Sequence, residues 1–174
     1  YSTKNGIRSV LNGIYLDLAA NQLYGDNLTL STIEILGQRY NISTEHNQYK
    51  TSTYAYKDKP TVDRMEDIWS AAYSTILNIN VFLENLDKYK GVLDQSTENV
   101  YRGEAIAMRA FLHFDLLRLY GPRYSTVDST KQSLPYYRNT KTEVNPLLPA
   151  NDFIDNVMAD LNLAETLLQN DPII

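Results

Sequence analysis

Residues Glu104–Pro122 read E-A-I-A-M-R-A-F-L-H-F-D-L-L-R-L-Y-G-P, and no other stretch of the chain says as much about its architecture. Ala105, Met108, Phe111, Leu112, Leu116 and Leu119 recur three or four apart, the spacing of one helix face. Phe114 and Leu117 fill much of the opposite side. A helix with so little polar surface belongs at the centre of a helical protein. Gly121, tolerant of positive φ, suits a C-terminal cap, and Pro122 blocks continuation.

Three further helical patterns surround it. One covers about 3–23, with Ile7, Val10, Leu11, Ile14 and Leu18 on a stripe. A second covers about 62–88, with Met65, Ile68, Trp69, Ala72, Tyr73, Ile76, Leu77, Leu83 and Leu86 on its face and Asn80 interrupting. Pro60-Thr61 marks its start, with Thr61 as cap. The central pattern begins near Thr97, capped by Ser96 or Thr97. The last covers about 149–169, with Phe153, Ile154, Val157, Met158, Leu161, Ala164 and Leu168 inward. A weaker helical signal lies over 28–39. Residues 40–59 show no period and read as an ordered loop. The stretch 121–148 is a second long connection, with 134–137 as a short extended piece. Nothing reads as a sheet, so the expected class is all-α, built from tetratricopeptide-like antiparallel helix pairs with two long ordered loops. An internal offset of 33 aligns Ala72 with Ala105 and Leu83 with Leu116, but Ile76 with Arg109, and adds little.

Composition narrows the function classes. A length of 174 residues suffices for one domain with a real core, and a single helical domain over 1–174 is expected. The net charge of −5, with scattered Lys and Arg, disfavours nucleic acid and anionic membrane surfaces. The absence of Cys removes disulfides, thiolate metal sites and thiol nucleophiles. With only His46 and His113 as imidazoles, neither a metal site nor a His-dependent triad is expected. Glu66, Asp67, Asp152 and Asp155 fall on solvent faces, and no Gly-rich phosphate loop occurs. No enzyme and no cofactor are expected.

Two features carry possible chemistry. Arg109 lies inside the apolar helix, where a lone cation is costly. Either Asp160 on the last helix neutralises it, or its stem snorkels to solvent. The 14 Tyr, against 4 Phe and 1 Trp, are the other. Tyr40, Tyr49, Tyr54 and Tyr56 cluster in the 40–59 loop near Arg39, His46, Asn47 and Gln48. The rings either pin the loop to the domain or offer sugars a flat platform beside polar partners. On the second reading the candidate ligand residues are Arg39, Asn47, Tyr49, Tyr54 and Tyr56.

Three blocks of sequence resemble the SusD/RagB family of nutrient-binding outer-membrane lipoproteins from Bacteroidetes-type bacteria. Ile68-Trp69, Tyr73, Ile76 and Asn80 match its I-W-x-x-x-Y-x-x-I-x-x-x-N helix. Glu104-Ala105, Arg109-Ala110, Phe114-Asp115-Leu116 and Arg118-Leu119-Tyr120-Gly121 match its E-A-x-x-x-R-A-x-x-x-F-D-L-x-R-L-Y-G helix. Asp160-Leu161 with Ala164 is similar to its D-L-x-x-A segment, and Leu11–Tyr15 resembles its L-x-G-x-Y opening.

The resemblance implies a non-catalytic protein that binds glycans or other nutrients at the cell surface. It implies anchoring to the outer membrane by a lipid on an N-terminal Cys, absent from this sequence, and a SusC-like TonB-dependent transporter as partner. Family members are much longer, so the chain is expected to correspond to the N-terminal half. The alternative is a helical protein-interaction scaffold that docks the transporter and has no ligand site of its own.

Overall fold

The computed structural model describes residues 1–123, 125–169 and 171. Tyr124, within the long connection expected at 121–148, and the terminal Ile174 lie outside the described residues. Helices dominate: α1 (Lys4–Leu18), α2 (Thr32–Leu36), α3 (Tyr49–Ser52), α4 (Lys59–Lys88), α5 (Gln95–Tyr120) and α6 (Ala150–Leu168). A two-stranded antiparallel ribbon joins β1 (Gln132–Pro135) to β2 (Leu147–Pro149). The class is helical and tetratricopeptide-like, as expected. The extended piece foreseen near 134–137 is β1. Its partner strand was hidden, because three residues are too few to show a period.

The chain forms two compact units, Tyr1–Asn12 with Ile76–Ile174, and Gly13–Thr75. In the first, Asp87 bonds Arg102 and Asn80 bonds Arg109, so the second half of α4 runs antiparallel to α5. Along the next pair, Arg109 meets Asp160 and the His113 ring meets Phe153, so α6 runs antiparallel to α5 as well. At the far end of that pair the side chains of Leu167 and Leu168 close in on Gly103. A β-carbon there would sit 2.7 Å from Leu168 Cγ. Gly91, at φ 87°, turns the chain between α4 and α5 in a conformation that side chains rarely adopt. The core of this unit holds Ile76, Ile79, Phe82, Leu86, Leu112, Leu116 and Phe153.

The second unit is smaller. Leu23, Ile35, Ile68 and Ala72 are buried in it. Trp69 and Tyr73, one turn apart on α4, meet with ring centroids 4.9 Å apart and planes tilted by 56°.

Several local expectations are corrected. α4 begins at Lys59, two residues before the expected cap, and Thr61 is buried within its first turn against Thr51 Oγ1. The cap of α5 is Asp94, whose carboxylate accepts from Thr97 N at 2.9 Å, so neither Ser96 nor Thr97 caps it. Gly121 has φ −76°, not a positive value. It is needed because a β-carbon would lie 2.5 Å from the Leu117 carbonyl oxygen. Phe111 is 50% exposed, although its spacing places it inward. Leu77 is also exposed. The inward face of α6 is Phe153, Val157, Asp160 and Ala164, while Met158 and Leu161 are exposed. That face is turned because Asp160 must reach the interior.

Candidate functional site

Two polar constellations have enough order to be judged as sites. The first is buried in the α4–α5–α6 unit and centres on Asp160. Its Oδ2 accepts from Arg109 Nε at 2.9 Å and from the Tyr136 hydroxyl at 2.8 Å. Its Oδ1 accepts from Arg138 Nε at 2.9 Å. Arg109 Nη1 donates to Asn80 Oδ1 at 2.8 Å, and Asn80 Nδ2 donates to the carbonyls of Tyr137 and Asn139. The snorkelling alternative for Arg109 is excluded, since the residue is only 5% exposed.

His113 completes this centre. Its Nε2 accepts from Tyr137 N at 3.1 Å, so the proton sits on Nδ1, which faces the Arg109 carbonyl at 2.9 Å. Tyr136 stacks on the imidazole at 3.8 Å between centroids, and Phe153 meets both rings edge-on. Burial pushes the His113 pKa down to about 3. Burial also raises that of Tyr136, with Asp160 adding to the effect. Both Asp160 oxygens and both His113 nitrogens are engaged inside the protein. The constellation therefore locks the segment after β1 onto three helices and offers no group for proton transfer to a ligand.

The second constellation is the aromatic loop of the Gly13–Thr75 unit. Gly37 is the C-cap of α2, but the left-handed residue is the next one, Gln38, at φ 57°. Beyond α3, Tyr54 also takes φ 57°. Gln38 Nε2 donates to the Ser52 carbonyl at 2.7 Å, and the Tyr54 hydroxyl donates to the Leu36 carbonyl at 3.0 Å. The Tyr40 hydroxyl donates to the Leu30 carbonyl at 3.1 Å. Beneath the loop, buried Thr51 Oγ1 contacts Thr61 Oγ1 and accepts from Arg64 Nη1.

The residues expected to bind ligand fall on this loop, with unequal placement. Tyr54 and Tyr56 are brought together, with ring centroids 6.4 Å apart and planes 41° from parallel. Each is about half exposed. Burial and the neighbouring Tyr54 raise the Tyr56 pKa, which keeps its hydroxyl protonated. Tyr49 is the first residue of α3 and half-buried, with the Lys50 ammonium 5.9 Å from its ring centre. Asn47 is exposed. Arg39 is exposed and pairs with Glu34 at 3.2 Å. The Tyr40 and Tyr54 hydroxyls thus pin the loop, while the Tyr54 and Tyr56 rings stay about half exposed. Gln38 was missed. Its one sequence signal is the glycine before it, which marks a helix end without saying which residue turns left-handed.

Among the described residues, no group of three or more His, Cys, Asp or Glu is placed to hold a metal ion. No described helix is long and apolar enough to cross a membrane.

Antiparallel helix pairs define the class of fold. Residues 3–173 match the family model SusD-like, described as "Starch-binding associating with outer membrane", and the chain belongs to that family. Two solved structures share the fold. A SusD superfamily protein from Bacteroides thetaiotaomicron VPI-5482 superposes with a TM-score of 0.77 at 19% identity over 95% of this chain. One from Bacteroides vulgatus ATCC 8482 gives 0.78 at 19% identity over 96%. The chain spans 37% and 38% of the length of those two proteins. A search of curated proteins returned no match. The three sequence blocks of the family resemblance converge at one place: Asn80, Arg109 and Asp160 supply one residue each to the buried polar centre.

Proposed function

We propose that the chain is the N-terminal helical portion of a surface glycan-binding lipoprotein of the outer membrane. It holds its ligand without cleaving it and delivers it to a SusC-like TonB-dependent transporter. Anchoring through a lipidated N-terminal Cys, outside these residues, belongs to the same proposal. Family membership over residues 3–173 supports the class. The observation that carries the site is the half-exposed Tyr54 and Tyr56 pair on a pinned loop. Such rings give a pyranose an apolar face to stack on, and Arg39, Asn47 and Tyr49 are the polar and aromatic partners for its hydroxyls and edges.

The test is affinity electrophoresis through gels containing soluble starch and a panel of other polysaccharides. Retardation by at least one polysaccharide, lost in Tyr54→Ala and in Tyr56→Ala, is the expected result. Equal retardation of wild type and both variants removes the loop from the site.

A second reading, a helical scaffold that docks the transporter and binds no glycan, is favoured by the exposed apolar residues Met158, Leu161 and Leu163 on α6. Co-purification with the transporter, unaffected by loop variants and lost in Leu161→Asp, would select it.

A further inference from the structure

Gln38 and Tyr54 are the non-glycine residues with positive φ among those described, both at 57°. Gln is not among the residue types enriched in the left-handed region, nor is Tyr, so each conformation is unfavourable and must be held by its surroundings. What holds them is mutual. Gln38 reaches across to the carbonyl of Ser52, two residues before Tyr54, at 2.7 Å. Tyr54 reaches back to the carbonyl of Leu36, two residues before Gln38, at 3.0 Å. Gln38 Nε2 also touches the Ile35 carbonyl at 3.3 Å, which fixes the carboxamide against the end of α2. The carbonyls of Leu36 and Ser52 lie at the ends of short helices, where they lack helical partners and need donors.

We propose that Gln38 is a positioning residue for the Tyr54 ring: the two side chains form a reciprocal clasp that sets the ring face toward a pyranose ligand. The proposal rests on the reading of Tyr54 as a ligand contact. It also deepens that reading. The phenolic proton of Tyr54 is committed to Leu36, so what Tyr54 presents outward is its ring face. The ligand chemistry it fits is the C–H face of a sugar ring, recognised by stacking. A rigid, preset ring loses little freedom on binding, and that is where the clasp acts on affinity.

The experiment uses the whole chain, soluble starch as the probe, and Tyr labelled with 13C in the ring for NMR. Gln38→Gly accepts the left-handed backbone without strain but loses the carboxamide. Tyr54→Phe keeps the ring but loses the donor. Each is expected to weaken starch binding about threefold to tenfold, the cost of ordering one freed side chain at a binding surface. The double variant is expected to be no weaker than the worse single one, because the clasp opens only once. Gln38→Gly is also expected to shift the Tyr54 ring signals while leaving the thermal midpoint unchanged or higher, which separates positioning from general stability.

If Tyr54→Ala loses starch while Gln38→Gly and Tyr54→Phe bind like wild type with unmoved ring signals, the clasp is overturned and the loop site stands. If wild type shows no starch retardation, or Tyr54→Ala binds as wild type does, the site reading fails instead. The clasp is then decided by the Tyr54 ring signals alone: shifted in Gln38→Gly it holds, unshifted it does not.

Discussion

Arg109 Nε lies 2.9 Å from Asp160 Oδ2, joining α5 to α6 across 51 positions of sequence. Both side chains are nearly inaccessible, at 6% and 4% exposure. Charges removed from water this far are tolerated only with full hydrogen bonding. Asp160 meets that condition through Arg109, Tyr136 and Arg138 together.

Asp160→Asn leaves Arg109 without a buried counter-ion. The expected loss is about 3 kcal/mol, near the lower end for breaking a buried pair. Urea unfolding followed by far-UV circular dichroism measures it. An unchanged midpoint would mean that the pair contributes nothing. Replacing the pair with Arg109→Met and Asp160→Leu together removes the buried cation but leaves Arg138, the Tyr136 hydroxyl and Asn80 Oδ1 without these partners, so it is not expected to restore wild-type stability.

His113 predicts a pH dependence of definite sign. Burial is the main cause of its low pKa, about 3 in the folded protein against 6.5 ordinarily. The unfolded chain therefore binds the proton more tightly. The stabilisation is complete above 6.5 and is lost as pH falls toward 3. Between pH 7 and pH 5 the loss from this one group is about 2 kcal/mol. Comparing urea midpoints at the two pH values in wild type and His113→Gln checks it, the variant showing the flatter dependence.

Gly103→Ala is expected to destabilise despite the higher helix propensity of Ala. The added carbon would sit 2.7 Å from Leu168 Cγ and 3.2 Å from Leu167 Cβ. Overpacking costs about 1–3 kcal/mol, against a gain of about 1 kcal/mol from propensity. Thermal melting should show a lower midpoint, and adding Leu168→Ala to Gly103→Ala should recover part of it. Recovery failing, with the single variant more stable than wild type, would mean that α6 shifts freely.

Asp94 holds the start of α5. Its pKa is lowered to about 2, first by the Thr97 backbone N–H, then by the Thr97 hydroxyl and Lys4. This contribution is present above the ordinary carboxylate pKa and is lost as pH falls from about 4 toward 2. Asp94→Ala should lower the melting midpoint, Asp94→Asn should retain most of it, and Ser96→Ala should change nothing. Equal effects of Asp94→Ala and Ser96→Ala would contradict the cap.

Helix existence was legible because a period of 3.6 is written into neighbouring residues. α1, α4, α5 and α6 all appear where apolar spacing places them, with ends displaced by a few residues. The Arg109–Asp160 pair was only half legible: a cation inside an apolar helix demands either a partner or a path to solvent, and the packing of α6 on α5 decided for Asp160. Caps were less so, since Asp94, Ser96 and Thr97 are all competent and only the turn after Gly91 selects Asp94.

The aromatic loop marks where local reading stops. Its Tyr content was visible, and with it the candidates Tyr54 and Tyr56. That Tyr54 and Gln38 turn left-handed and reach the carbonyls of Leu36 and Ser52 was not, because a segment without period carries no statement about its backbone. The same holds for the face of α6, where spacing favours Met158 and Leu161 but the fold buries Asp160. Periodicity depends on residues adjacent along the chain and survives translation into a string of letters. Hydrogen bonds between groups tens of residues apart depend on which atoms packing brings within 3 Å, and they arise only once the helices have met.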